Sequence, residues 1–135
     1  MRKTKGQVAI ELFALISALV IIFLVITVIE RDRNAMIYSQ RVEMDGKRIA
    51  EVVSTEVNTA VIVGRGYSHR FSLPEHLASN TIYSVSVNTT HQFVELTWVG
   101  GYYIMPIITS NVTGNPIIGW NSVSNENGMV IISPG

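Results

Sequence analysis

Cysteine is absent from the 135 residues, which excludes disulfides and thiolate-bound metal. Charge is scarce too. Lys, Arg, Asp and Glu make up 15% of the chain, 10 basic against 10 acidic, and no basic cluster supplies the footprint of a nucleic-acid binder. Aspartate occurs only as Asp32 and Asp45, and the three histidines, His69, His76 and His91, stand at no spacing known for zinc. There is no Gly-x-Ser-x-Gly elbow, and Gly100-Gly101 leads into a strand-like run without the helix that a phosphate loop requires. The expectation is a chain without enzymatic activity, cofactor or bound metal.

What the sequence does have is one long apolar block. Residues 12–29 contain no charged side chain, no proline and no glycine, and as a helix they span about 27 Å, close to the thickness of a hydrocarbon layer. Arg2, Lys3 and Lys5 precede Gly6 and the block follows almost at once. A secretory signal would have a shorter apolar core ending in a small-residue cleavage site, so any cut here falls in front of the block. Glu11 lies inside its front edge, where an unpaired carboxylate costs about 2.5–3.5 kcal/mol toward a helix centre and less near the interface. Such a group demands a partner.

These residues resemble the type IV prepilins, and among them the archaeal pilin-like proteins with a class III signal peptide. The match consists of the basic leader ending Lys5-Gly6, a cut expected between Gly6 and Gln7, and an acidic residue, Glu11, at the fifth position of the resulting chain. It covers about the first 30 residues. Bacterial type IV pilins usually carry Phe where Gln7 stands, which favours the archaeal variant, and archaellins generally lack the acid found here as Glu11. The resemblance implies processing by a prepilin peptidase and assembly with other subunits into a homo-oligomeric filament, served by an assembly ATPase and a membrane platform protein. It also implies that the Glu11 carboxylate pairs with the new α-amino group on Gln7 of a neighbouring subunit.

The expected organisation is a leader over 1–6, a transmembrane or filament-core helix over 7–29, an amphipathic continuation over 30–64 and a small β-rich head over 65–135. The junction Glu30-Arg31-Asp32-Arg33-Asn34 lets a helix pass, and Tyr38, Val42, Ile49, Val53, Val57 and Ala60 then share one face. Gly46 marks a bend or a weak point, and Gly64 or Gly66 supplies a C-cap. From Tyr67 the period becomes two, with strand-like runs at 67–73, 83–88, 93–99, 102–108 and 129–133. Residues 111–115 are read as loop and 116–120 as a short apolar piece. The fold class is therefore α+β, a long N-terminal helix packed on a small antiparallel head of about five strands. A head of this size without disulfides needs the apolar face of the helix to complete its core.

Asn88-Thr89-Thr90 and Asn111-Val112-Thr113 are candidate N-glycosylation triplets once the head is exported. Trp98, Tyr102, Tyr103 and Trp120 are read as core or sheet-face residues in preference to an adhesive surface. The three leader cations against a balanced 30–33 place the head outside, first on the cytoplasmic membrane and then on an extracellular filament. The competing reading is a permanent single-pass anchor displaying an extracellular binding or adhesion module that does not polymerise.

Overall fold

A computed structural model describes residues 2–135, with side chains described for 6–31 and 33–135. The chain forms two compact units, Met1–Ile37 and Tyr38–Gly135. Helix α1, Arg2–Val63, supplies the described part of the first unit and the opening of the second. It ends where glycine permits: Gly64 has φ +83° and its N–H donates to the Ala60 carbonyl at 3.1 Å, a left-handed cap.

The head contains seven strands, β1 (Ser68–Leu73), β2 (Tyr83–Asn88), β3 (Phe93–Trp98), β4 (Gly101–Pro106), β5 (Val112–Thr113), β6 (Gly119–Glu126) and β7 (Met129–Pro134). They form two sheets of order β1-β6-β7-β5 and β2-β3-β4, antiparallel except for the short β5–β7 pair. The five expected runs are present. The added strands are β5, with two residues, and β6, whose Gly-Trp-Asn-Ser-Val-Ser-Asn-Glu looks polar but is central in its sheet. Its inward positions are Asn121, Val123 and Asn125, all buried. Asn121 holds both the N–H and the carbonyl of Ile117, at 2.8 and 2.7 Å. Asn125 donates to the Ala60 carbonyl at 2.8 Å and accepts from Gly128 N at 3.0 Å. Buried amides are tolerated because each polar atom is paired. The β6–β7 turn is Asn127-Gly128, both with positive φ, the pair that a two-residue hairpin turn favours.

Inner-face residues of both sheets join one hydrophobic cluster with the helix: Val42, Ile49, Ala50, Val53, Val57 and Ala60 pack with Phe71, Leu73, Val94, Leu96, Val123, Val130 and Ile132. The helix is thus shared by two sheets. The predicted stripe is buried except at Tyr38, which is 55% exposed. Tyr38 lies one turn before Val42, the first buried helical position. Gly46 is neither bend nor defect: a Cβ there would sit 3.0 Å from the Trp98 ring and 3.3 Å from Leu96. Its missing side chain lets the indole lie against the helix.

Candidate functional site

The segment singled out by sequence is the start of α1. Met1 lies outside the described residues, as do the side chains of Arg2, Lys3, Thr4 and Lys5, so the basic leader and the Lys5 part of the expected cleavage motif are not placed. Gly6 is described. It is helical, and no atom lies within 4 Å of where its Cβ would be. Among the described residues neither a turn nor a close approach accounts for a glycine here, and in a helix interior it costs about 1 kcal/mol relative to Ala. Among the described residues, no packing contact calls for a glycine at position 6.

Gln7 and Glu11 face each other one helical turn apart, with Gln7 Nε2 donating to Glu11 Oε1 at 3.4 Å. That contact is long and solvent-exposed, so it neutralises little of the carboxylate's desolvation cost. The carboxylate that most needs a partner has only a weak one in this chain.

From Val8 to Ile29, sixteen large apolar side chains are each 49–75% exposed. At about 1.5–3 kcal/mol for full burial of such a side chain, leaving them in water forgoes on the order of 20 kcal/mol, more than the 5–15 kcal/mol that stabilises a typical domain. Covering that surface with lipid or with other apolar surface would recover this energy. The polar side chains within 12–29 are Ser17 and Thr27, which donate to the Phe13 and Phe23 carbonyls, each at 2.8 Å. Both hydroxyls are satisfied by the helix itself, as hydrocarbon requires. By length and composition this helix is able to cross a membrane, its apolar window having a mean hydropathy of 3.2.

In the head, Asn88 ends β2, half-buried, and its side-chain oxygen accepts from His91 N at 3.0 Å. Asn111 is exposed, and its Nδ2 donates to the Gly128 carbonyl at 2.9 Å. A glycan on Asn111 would leave one N–H for that bond. The histidines are dispersed. His69 Nδ1 meets Glu56 Oε2 at 2.9 Å, His91 stacks on Phe93, and His76 borders a groove beside α1. Among the described residues no group of three His, Cys, Asp or Glu is able to hold a metal ion. Tyr67 also donates to Glu56, at 3.2 Å, and burial, with the Glu56 charge behind it, raises its phenol pKa. Trp98 and Tyr103 pack against the core, whereas Trp120 and Tyr102 are 60% and 67% exposed on the outer sheet faces.

Comparison of the chain with protein-family models, with characterised proteins and with solved structures finds no match.

Proposed function

We propose that this chain is a structural subunit of an archaeal type IV pilus-like surface filament, without catalytic activity. A prepilin peptidase removes residues 1–6 and the subunit waits in the cytoplasmic membrane through residues 7–29, head outside. An assembly ATPase and platform protein then move it into a filament whose core is made of these helices. Whether lipid or sister helices cover the segment, its apolar surface stays out of water, so the transfer conserves most of the burial energy.

The observation that carries this reading is the combination at the front of α1. Glu11 is an acid set in an uncovered apolar surface, and Gly6 is a glycine that no packing among the described residues calls for. Cleavage after Gly6 creates an α-amino group on Gln7, cationic near neutral pH, and a neighbour's amine compensates the Glu11 carboxylate. The leader glycine then answers to the peptidase and the acid to the next subunit. Export would also make Asn88 and Asn111 available to a glycosylating enzyme.

Mass spectrometry of the protein from its native membrane tests the proposal. A mature chain beginning at Gln7 is expected. Chains that all retain residues 1–6 would replace the filament reading with the permanent anchor, and the same spectra read glycan mass on the peptides containing Asn88 and Asn111.

A further inference from the structure

Two places in this chain join an acidic or amide side chain directly to glycine, Asp45-Gly46 and Asn127-Gly128. Such pairs carry a specific backbone chemistry. The glycine amide nitrogen is able to attack the side-chain carbonyl carbon of the residue before it and close a five-membered succinimide ring, because glycine has no Cβ to hinder the approach. Each of the other asparagines is followed by a residue that carries a Cβ.

The fold separates the two pairs. Asp45 and Gly46 lie inside α1, where helical hydrogen bonding occupies the backbone, Gly46 is buried beside Trp98, and Asp45 Oδ2 accepts from Ala78 N at 2.9 Å. Asn127 and Gly128 are both exposed in the β6–β7 turn, and no atom lies within 4 Å of where a Cβ on Gly128 would be. Among the described residues, the side-chain hydrogen bonds at this turn go to Gly128: its N–H donates to Asn125 Oδ1 at 3.0 Å and its carbonyl accepts from Asn111 Nδ2 at 2.9 Å. None of them holds the Asn127 carboxamide. The attacking nitrogen is thus restrained and the carbon it would attack is free. Asn125 is the restraint, being 4% exposed and fixed through its own Nδ2 to the Ala60 carbonyl at 2.8 Å.

We propose that Asn127 is a site of spontaneous deamidation in the folded head, with the hydrogen bond from Gly128 N to Asn125 as its gate. When that bond opens, Gly128 N bonds to Asn127 Cγ, the Cγ–Nδ2 bond breaks, and the leaving nitrogen departs as ammonia with the proton that Gly128 N gives up. Water then opens the ring, and no oxidant or reductant takes part. Addition at Cγ leaves an aspartate with the ordinary backbone. Addition at the main-chain carbonyl carbon leaves an isoaspartate, whose backbone runs through the side chain and is longer by one atom. Either product places a new negative charge beside Glu126. The isoaspartate also lengthens a two-residue turn whose strands close with Glu126 opposite Met129, so it works against the register of β6 and β7. This site belongs to the head alone and stands whether or not the chain polymerises.

The test incubates the full chain in detergent micelles in mildly alkaline buffer and reads deamidation by peptide mass spectrometry, with aspartate and isoaspartate peptides resolved by chromatography. Asn127 should convert faster than any other asparagine, with isoaspartate among the products. Asn125→Ala frees Gly128 N and should speed conversion by about fivefold, the population factor that one hydrogen bond is worth. Gly46→Val loosens the head at Trp98 instead and should leave the rate unchanged. Unfolding the unaltered chain in urea removes the same restraint without a variant, and should speed conversion by at least about fivefold. Conversion of Asn127 no faster than that of the other asparagines would overturn the site, as would aspartate formed without isoaspartate. Equal rates in the unaltered chain and in Asn125→Ala, or equal rates folded and in urea, would overturn the gate.

Discussion

Asn125 ties the end of α1 to the β6–β7 turn, and exchanging its amide for a carboxylate separates packing from polarity. The side chain is 4% exposed, with Nδ2 2.8 Å from the Ala60 carbonyl and Oδ1 3.0 Å from Gly128 N. In Asn125→Ala both bonds are lost, but the Ala60 carbonyl keeps Gly64 N at 3.1 Å and Gly128 is exposed to water. The cost is about 1 kcal/mol per bond, near 2 kcal/mol in all. Asn125→Asp is nearly isosteric, yet it aims an acceptor at an acceptor and buries a negative charge at the negative end of a helix. A cost of about 3–5 kcal/mol at pH 7 follows. Burial and the facing carbonyl raise the folded-state pKa of the new acid above its unfolded value. The folded form of the variant therefore binds a proton more readily than the unfolded form. Its penalty is full above the folded pKa and disappears as pH falls through the ordinary carboxylate range, where the protonated acid donates to Ala60. Both tryptophans, Trp98 and Trp120, lie in the head, so urea titrations followed by fluorescence report its unfolding. At pH 7 the Asp variant should be the less stable of the two, and the gap between them should close by about pH 3.5. Variants of equal stability at pH 7, or a gap that does not shrink with acid, would refute this account of the link.

Other perturbations distinguish the roles assigned to the remaining residues. Gly46→Val should cost the head about 2–3 kcal/mol by driving a branched side chain into Trp98, read in the same urea titration. Gly6→Val should leave that titration unchanged, because Gly6 lies outside the head, but should block the proposed leader removal, seen as retained leader mass. Glu11→Ala should insert into membranes normally while sharply reducing the filament yield counted in micrographs; an unchanged yield would dispose of the charge-pairing role. Burial raises the Tyr83 phenol to about 12, and its hydroxyl donates to the Pro74 carbonyl. Stability from this group is complete below pH 10 and falls as pH rises toward 12, a slope that Tyr83→Phe should remove in alkaline melts.

The parts of the fold legible in the sequence are those where one physical rule dominates. Helix α1 follows from an uninterrupted apolar block and an absence of proline, and its buried face from the spacing of Val42, Ile49, Val53, Val57 and Ala60. Strands β1 to β4 announce themselves by alternation. Strand β6 does not, because two of its three inward positions are asparagines, and nothing local shows that Ile117 and Ala60 will satisfy them. Gly46 is ambiguous in the sequence for a related reason: its meaning depends on Trp98, 52 positions further along the chain. The front of α1 differs again. Gly6 and Glu11 stand out in the sequence, and among the described residues Glu11 has only the long contact from Gln7.

That contrast also bears on where partners act. Among the described residues, every buried side-chain nitrogen and oxygen has a hydrogen-bond partner, so the interior of the head leaves no polar demand unmet. One demand remains outside it. The apolar surface from Val8 to Ile29 requires a nonaqueous environment but specifies little about it, since lipid tails and other helices serve equally. Position within such a surface has to come from a polar contact, and Glu11 is the ionisable side chain set into it. A featureless apolar surface supplies attachment, and a few polar groups supply register. If the proposed filament forms, losing Glu11 should therefore leave attachment and remove register.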